Sequence, residues 1–247
     1  MNRTVSWFSC GVASAVATKL ALKDNPDTVV VRCEVKEEHP DNARFALECE
    51  EWFGKPIINL INAEFDGSVY KVIAKTGVTA TVHGYAPCTN KLKKDLRLAF
   101  QQPDDIHVFG YTVDEIDRYN RFIDANNVEC IAPLINNGLN HADCLAIIQD
   151  AGIEIPMMYK LGFHHNNCIG CSKANGAGYW NMIRHHFPQQ FKEWCELSRG
   201  IGSKMTRVDS KRIFLDELPE NYGNYSEEEE IQCGIFCEMA KDKINAD

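Results

Sequence analysis

The chain has 247 residues, of which 45% are hydrophobic and 25% charged, and its formal net charge is −9 at pH 7. This composition is typical of a globular protein with a sizeable core, and the absence of any run of 18 apolar residues argues against a membrane span. The negative charge argues against extended binding to nucleic acid, and the lack of a signal-peptide pattern predicts a cytoplasmic protein.

The first predicted unit is a strand, a turn of small residues and a helix. Residues 4–8 are rich in β-branched and aromatic side chains, and Val16 and Leu20 share one face of the helix that follows. A helix N-terminus attracts anions through its free N–H groups and its dipole, and small side chains let the backbone approach a phosphate. We therefore predict a nucleotide phosphate site, although such a turn can also serve only to cap the helix. The predicted phosphate-binding residues are Ser9, Cys10, Gly11, Val12, Ala13 and Ser14.

The rest of the first half alternates strand and helix patterns, which is typical of α/β folds. We expect an α/β protein with a mostly parallel open sheet, helices on both faces and a Rossmann-like arrangement. Residues 1–160 would form the nucleotide-binding domain, and residues 161–247 a cysteine-rich C-terminal lobe packed on the same core. The predicted strands are 28–35, 56–61, 106–111, one ending at Pro133-Leu134, and a short strand or arm at 212–215. The predicted helices are 39–53, 90–100, 140–152, 179–186 and 188–197, and residues 64–85 are expected to form a long excursion over the active face.

A second group of polar residues follows the buried strand that ends near Gly110. Ligands of open α/β sheets bind beyond the carboxyl ends of strands, so this group would flank the same crevice as the first turn. Asp114 or Glu115 could hold Mg²⁺ or orient Arg118, and Arg118 could pair with a phosphate or sulfate. An ordinary helix start with a surface arginine is the alternative. Lys93, in a basic patch of an acidic chain, is a further candidate for anion binding.

The chain has eleven cysteines, and in a cytosolic protein of this size they indicate metal ligands or redox groups rather than structural disulfides. Cys168 and Cys171 form a C-x-x-C pair that could bind zinc or an iron–sulfur cluster, or act as a redox dithiol. Cys88 and the late pair Cys233 and Cys237 are the candidate partners. Cys233, near an acidic tail, could instead act as a nucleophile. Five others are expected to be ordinary small side chains: Cys33, Cys49, Cys130, Cys144 and Cys195.

Taken together, these motifs resemble the phosphoadenosine phosphosulfate reductase family, within the PP-loop or adenine-nucleotide alpha-hydrolase group. Residues 9–14 resemble its Ser-Gly-Gly-x-x-Ser phosphate loop, and residues 110–118 its Gly-x-x-x-Asp-Glu-x-x-Arg segment. Residues 233–235 resemble the Cys-Gly-Leu/Ile piece of its catalytic tail. The stretch 159–171 and the Cys-Thr-x-x-Leu-Lys motif at 88–93 look like the short members found in bacteriophages and mobile DNA.

Three residues depart from the family pattern. Cys10 replaces the first glycine of the loop, and Ala13 stands where ATP-cleaving relatives usually have aspartate. Phe236 stands where the reductase tail has histidine. Ala13 favours the reductase-like branch over ATP cleavage, whereas Phe236 puts ordinary sulfonucleotide reduction in question.

The resemblance implies an enzyme of sulfur metabolism that acts on an adenylyl sulfate. Cys233 would be the nucleophile, Cys237 or a thioredoxin-like protein the second thiol, and Arg118 a catalytic cation. It also implies a 4Fe–4S cluster on Cys88, Cys168 and Cys171, with zinc as the alternative metal, and it leaves a homodimer open. Two other functions remain: an ATP-dependent iron–sulfur sulfurtransferase that releases AMP and pyrophosphate, and a non-catalytic protein that binds or sequesters a nucleotide.

Overall fold

A five-stranded parallel sheet organises the first part of the chain, in the strand order β3-β2-β1-β4-β5. The computed structural model describes residues 2–80, 86–126 and 128–228. The strands are β1 (Thr4–Trp7), β2 (Val29–Cys33), β3 (Ile57–Leu60), β4 (Ile106–Val108) and β5 (Cys130–Ile131), and a separate antiparallel hairpin comprises β6 (Thr206–Val208) and β7 (Lys211–Ile213).

Helices connect and surround these strands. In chain order they are α1 (Val12–Asp24), α2 (Asn42–Phe53), α3 (Val69–Thr76), α4 (Pro87–Thr89), α5 (Asp95–Phe100), α6 (Ile116–Asn126), α7 (Pro133–Asn136), α8 (His141–Asp150), α9 (Met157–Lys160), α10 (Ala177–His186) and α11 (Pro188–Gly200). A π-helical stretch, Asn90–Lys94, joins α4 to α5, and 3₁₀ turns lie at Val113–Glu115, Leu215–Glu217 and Tyr225–Glu227. No helix in the described ranges is long and apolar enough to cross a membrane.

The chain packs as two compact units. The first unit contains the residues up to Glu34, His39–Ile61 and Leu96–Asn166, and therefore all five strands of the parallel sheet. The second contains Val35–Glu38, Asn62–Asp95 and the residues from Asn167 to the end of the description at residue 228. The proposed division at residue 160 stays a prediction, since the last part of the expected lobe lies outside the described residues.

One face of the first unit's sheet is covered by α1 and α2. Phe8 follows β1, and its ring lies 6.2 Å from that of Phe45 and 5.7 Å from that of Phe53, both on α2. On the same face, Ser6 and Thr18 share a buried hydrogen bond of 2.8 Å between their hydroxyl groups, which attaches α1 to β1. The alternation of side chains along a strand sends Ser6 and Phe8 to this face and Trp7 to the other.

The opposite face is covered by α5 and α6. The Trp7 ring lies 6.0 Å from Phe100 of α5, and the Phe109 ring lies 5.2 Å from Phe122 of α6. The expectation of an α/β fold with a parallel sheet and helices on both faces is therefore confirmed for this unit. It follows that the carboxyl ends of adjacent β1 and β4 lie where the strand order reverses, the position at which open α/β sheets bind ligands.

The second unit is built mainly from helices. The Trp180 ring on α10 lies 5.7 Å from Trp194 on α11, and the Tyr70 ring on α3 lies 5.0 Å from Trp194. These rings supply the apolar contacts that hold α3, α10 and α11 together.

The stretch 64–85, predicted to form a long excursion over the active face, contains α3, whose first turn is capped by the Ser68 hydroxyl accepting from the Lys71 N–H at 3.3 Å. One sequence expectation needs correction. Pro133 was expected to end a strand, but it is the first residue of α7. Its fixed φ suits the first position of a helix, where no N–H is required.

His107 on β4 is a buried titratable group beneath the α5 face. The Trp7 indole N–H donates to His107 Nδ1 at 3.0 Å, which fixes this nitrogen as an acceptor. Burial and the nearby Arg97 and Arg3 cations lower the pKa of His107 to about 4, and Asp105 opposes them only in part. The fold therefore holds this imidazole neutral.

This lowered pKa predicts an acid-sensitive contribution to stability. The unfolded chain takes up a proton near pH 6.5, so the contribution is complete above that pH and is lost as the pH falls toward 4. His107→Gln keeps an acceptor for Trp7 but does not titrate. Between pH 7 and pH 5 we expect the wild type to lose about 1–2 kcal/mol more unfolding free energy than the variant, measured by urea denaturation. Equal losses in the two proteins would contradict this account.

Candidate functional site

The turn between β1 and α1 is held by its two serines. Ser14 Oγ accepts hydrogen bonds from the Ser9 N–H at 3.0 Å and the Ser9 hydroxyl at 3.1 Å, and it donates to the Gly11 carbonyl at 2.9 Å. Gly11 is the N-cap of α1, has an extended backbone and makes no side-chain cap hydrogen bond. Glycine has no side chain with which to cap the first N–H groups of α1, and anion binding by these groups stays a prediction.

Cys10, at the second position of the loop, has a backbone conformation that favours glycine. Its φ is +58°, in the left-handed region that most residues avoid, and its side chain is fully buried. The Cys10 Sγ lies 3.8 Å from the Asn42 carbonyl oxygen at the start of α2. A non-glycine residue in this conformation costs about 1–2 kcal/mol, so the surrounding structure must hold it there.

Gly110 follows β4 and touches the backbone at the start of α1. A Cβ atom on Gly110 would lie 2.7 Å from the Ser14 nitrogen and 2.9 Å from the Ala13 carbonyl carbon, both closer than real contacts allow. The residue must therefore be glycine for β4 and α1 to approach this closely. Of the predicted nucleotide-binding residues, the structure thus brings Gly110 directly against the loop.

Arg118 is oriented by one of the two acidic residues predicted to flank it. The Glu115 carboxylate pairs with the Arg118 guanidinium and also accepts from the Thr112 N–H at 3.3 Å. The Arg118 guanidinium lies over the Tyr111 ring, 5.3 Å from its centroid, and the side chain is only 19% exposed. Asp114 is exposed to solvent. Glu115 therefore positions a largely shielded cation beyond the carboxyl end of β4.

Lys93 belongs to the second unit and lies in the π-helical stretch. Its Nζ is 3.8 Å from Glu38 Oε1, and both side chains are largely buried. Its contribution to phosphate binding stays a prediction.

Tyr179 fixes the loop that carries the C-x-x-C pair. Its hydroxyl accepts from the Cys171 N–H at 2.7 Å and donates to the Cys168 carbonyl at 3.3 Å, so it closes the loop across both cysteines. The hydroxyl is buried, and burial followed by the neighbouring Cys171 raises its pKa well above the ordinary value, which keeps it a neutral donor. The two thiols are buried within the same unit.

The middle of this loop packs against Trp194. Gly170 has a φ of +75°, and a Cβ atom there would lie 2.1 Å from the Trp194 indole nitrogen. That nitrogen donates to the Ile169 carbonyl at 3.3 Å, and the Ile169 N–H donates to the Glu37 carbonyl at 2.8 Å. Both the left-handed backbone and the close packing against Trp194 therefore require glycine at position 170.

Cys88 lies in α4, and its Sγ is 3.3 Å from the Ser172 hydroxyl, next to the C-x-x-C loop. The three predicted metal-binding cysteines thus belong to one unit and are all buried. Among the described residues, no group of three or more histidine, cysteine, aspartate or glutamate side chains is placed to hold a metal. The 4Fe–4S cluster and its zinc alternative therefore stay predictions. Cys233 and Cys237 lie outside the described residues.

Burial favours the neutral thiol at four of the remaining cysteines. All nine cysteines of the described chain are free thiols. Burial raises the pKa of Cys49, Cys130 and Cys144 to about 12 and that of Cys195 to about 11. Such thiols carry little thiolate at neutral pH and are poor nucleophiles and poor metal ligands.

No protein-family model matches the chain, and no curated protein matches it in sequence. The resemblance to the reductase family therefore depends on the motifs alone.

Sequence reasoning did not find several residues that shape these two loops. Asn42 and Asn166 contact Cys10 in the first unit, and Tyr159 places its hydroxyl 3.6 Å from the position of a Cβ on Gly11. In the second unit, Tyr179 and Trp194 hold the cysteine loop. The stretch 159–171 is part of the motif resemblance, but no pattern in it indicated which side chains face the turn between β1 and α1.

The Gly110 contact predicts a severe effect of a single methyl group. Gly110→Ala should lower the free energy of unfolding by about 1–3 kcal/mol, because the added carbon meets backbone atoms that cannot turn aside. Gly200→Ala is the control, since a Cβ there would meet nothing within 4 Å, and its effect should be within about 0.5 kcal/mol. Urea denaturation of both variants tests this, and a Gly110→Ala variant as stable as the wild type would refute the close contact.

The two buried hydrogen bonds of the Tyr179 hydroxyl predict a loss of stability when that hydroxyl is removed. Tyr179→Phe removes one hydrogen bond from each of two buried backbone groups, the Cys171 N–H and the Cys168 carbonyl, and should destabilise the protein by about 1–3 kcal/mol. Tyr222→Phe is a matched control. The Tyr222 hydroxyl also makes two hydrogen bonds, accepting from the Asp209 N–H and donating to the Asp209 carboxylate, but these lie at the surface. There water replaces the hydroxyl, so we expect about 0.5 kcal/mol or less. Similar losses of stability in the two variants, measured by thermal unfolding, would contradict this role of the Tyr179 hydroxyl.

Proposed function

We propose that this protein binds an adenine nucleotide, with the phosphate on the turn Ser9–Ser14, and that it acts on this nucleotide in sulfur metabolism. The observation that carries the proposal is the contact of Gly110 with the start of α1, at the carboxyl ends of adjacent parallel strands. This contact joins the loop to the segment that carries Arg118.

The chemistry of the loop supports phosphate as the ligand. It offers the N–H groups at the start of α1, whose N-cap Gly11 has no side chain, and the exposed Ser9 hydroxyl, which donates to Ser14 in the structure and could donate to a phosphate instead. These donors suit a phosphate oxygen, and Arg118 adds a shielded guanidinium beyond the neighbouring strand. That the nucleotide is an adenine nucleotide, and that the sheet is of the adenine-nucleotide alpha-hydrolase type, comes from the motif resemblance.

The reaction we propose is reduction of an adenylyl sulfate. The Cys233 thiolate attacks the sulfate sulfur, an S–S bond forms, and the S–O bond to the nucleotide phosphate breaks, so that an adenosine phosphate leaves. The loop N–H groups and Arg118 stabilise the charge that develops on the leaving phosphate. A second thiol, from Cys237 or a thioredoxin-like dithiol, then attacks Cys233 sulfur, forms a disulfide and releases sulfite. Two thiols are oxidised to a disulfide as sulfur is reduced to sulfite.

Nucleotide binding is tested with AMP and two arginines of one helix. Arg118→Ala should weaken AMP binding about tenfold, the loss expected for one charge-assisted contact to phosphate. Arg121→Ala removes an exposed cation one turn further along α6 and should change the dissociation constant less than about twofold. Titration calorimetry measures both. Equal effects of the two variants would indicate a general charge effect and contradict the assigned role of Arg118.

The reaction is tested by sulfite release from both adenylyl sulfates, measured anaerobically with a dithiol reductant. Cys233→Ser should abolish release, whereas Cys195→Ser, at a thiol whose pKa is raised to about 11, should leave it unchanged. Sulfite release that survives Cys233→Ser would refute the nucleophile. Cleavage of ATP to AMP and pyrophosphate without sulfite would favour the sulfurtransferase, and AMP binding with neither reaction would favour a sequestering protein.

A further inference from the structure

The side chain of Asn166 reaches the phosphate loop from a distant part of the chain. Its Nδ2 donates to the Cys10 carbonyl at 2.7 Å and to Asn42 Oδ1 at 2.8 Å, and both bonds are buried. Asn166 itself is only 7% exposed. One amide group therefore fixes the peptide that follows Cys10 and ties it to the start of α2.

The orientation of this amide shows that its donors are what the structure requires. Two oxygen atoms face Nδ2, so a flipped amide would place Oδ1 against both of them. In the orientation present, Oδ1 is buried without a hydrogen-bond partner among the described residues. Leaving a buried acceptor unsatisfied is unfavourable, so the two donated bonds determine the arrangement.

Those bonds act on the one strained residue of the loop. Cys10 has a φ of +58° although it has a side chain, and its carbonyl precedes Gly11, the N-cap of α1. If the Cys10 peptide rotated toward an ordinary conformation, the N–H groups that begin α1 would change direction. A glycine would need no such restraint, because it adopts this conformation without steric cost.

We propose that Asn166 is a positioning residue of the phosphate loop, whose amide holds Cys10 in the left-handed conformation that glycine would adopt unaided. The proposal rests on the proposed function insofar as the loop binds phosphate. It assigns a role to a residue outside the loop, and it explains how this chain tolerates cysteine at that position.

The test is a double-mutant cycle of Asn166→Ala and Cys10→Gly, with AMP affinity and thermal unfolding as readouts. In the wild-type background, Asn166→Ala should weaken AMP binding about tenfold, which corresponds to about 1.4 kcal/mol. In the Cys10→Gly background the same change should weaken it only about twofold, because the loop no longer needs restraint. Asn137→Ala, which removes an exposed amide that bonds to the Pro133 carbonyl, is the control and should leave affinity unchanged.

An equal loss of affinity in both backgrounds would overturn the proposal, as would a fall in melting temperature with unchanged AMP affinity. If Asn166→Ala does not fold, Asn42→Ala removes one of the two acceptors of the same amide, and the same rescue by Cys10→Gly is expected. A wild-type protein that binds no AMP would refute the proposed function. The melting temperatures of the cycle would then still decide whether Asn166 restrains Cys10, since additive changes would refute the restraint.

Discussion

The backbone of Gly110 lies against the backbone of Ala13 and Ser14 with no room for a side chain between them. This contact determines how the end of β4 meets the start of α1, and so how the two loops at the reversal of strand order share one edge of the sheet. On one side of it, the serines shape the turn before α1, whose N-cap is the glycine Gly11. On the other, Glu115 orients Arg118. The proposed phosphate site needs both the turn before α1 and Arg118, which is why this contact carries the functional proposal.

The sheet itself could be predicted because its strands are local patterns. Runs such as Val29–Cys33 and Ile106–Val108 are rich in β-branched residues, and α2 ends at the predicted residue 53, with Gly54 in the left-handed conformation. Helix α3 was not predicted, because tertiary contacts support its start. At its N-cap, the distant Glu37 carboxylate accepts from the Ser68 hydroxyl and the Val69 N–H. No window of sequence around α3 contains that partner.

The residue types of the candidate site could be predicted from the sequence, but the side chains that hold its loops in place could not. The motif Ser9–Ser14 indicated small side chains around an anion, yet nothing in it showed that Cys10 is left-handed. Asn166 acts on Cys10 across 156 positions of the chain, and Tyr179 joins both cysteines of its loop through one hydroxyl. Such side-chain to backbone bonds have no sequence periodicity, so they become visible only in the fold. Nor did any sequence pattern indicate that Asn62–Asp95, from the middle of the first half, belong to the same unit as the C-x-x-C loop.

The central claim is that the first turn of α1 holds a nucleotide phosphate, and amide NMR of the ¹⁵N-labelled protein tests it most directly. On titration with AMP, the account predicts saturable chemical-shift changes at the amides of Gly11, Val12, Ala13, Ser14 and Gly110. These groups either face the phosphate or touch the backbone that does. Binding of AMP that leaves these five amides unperturbed while shifting amides elsewhere would contradict it.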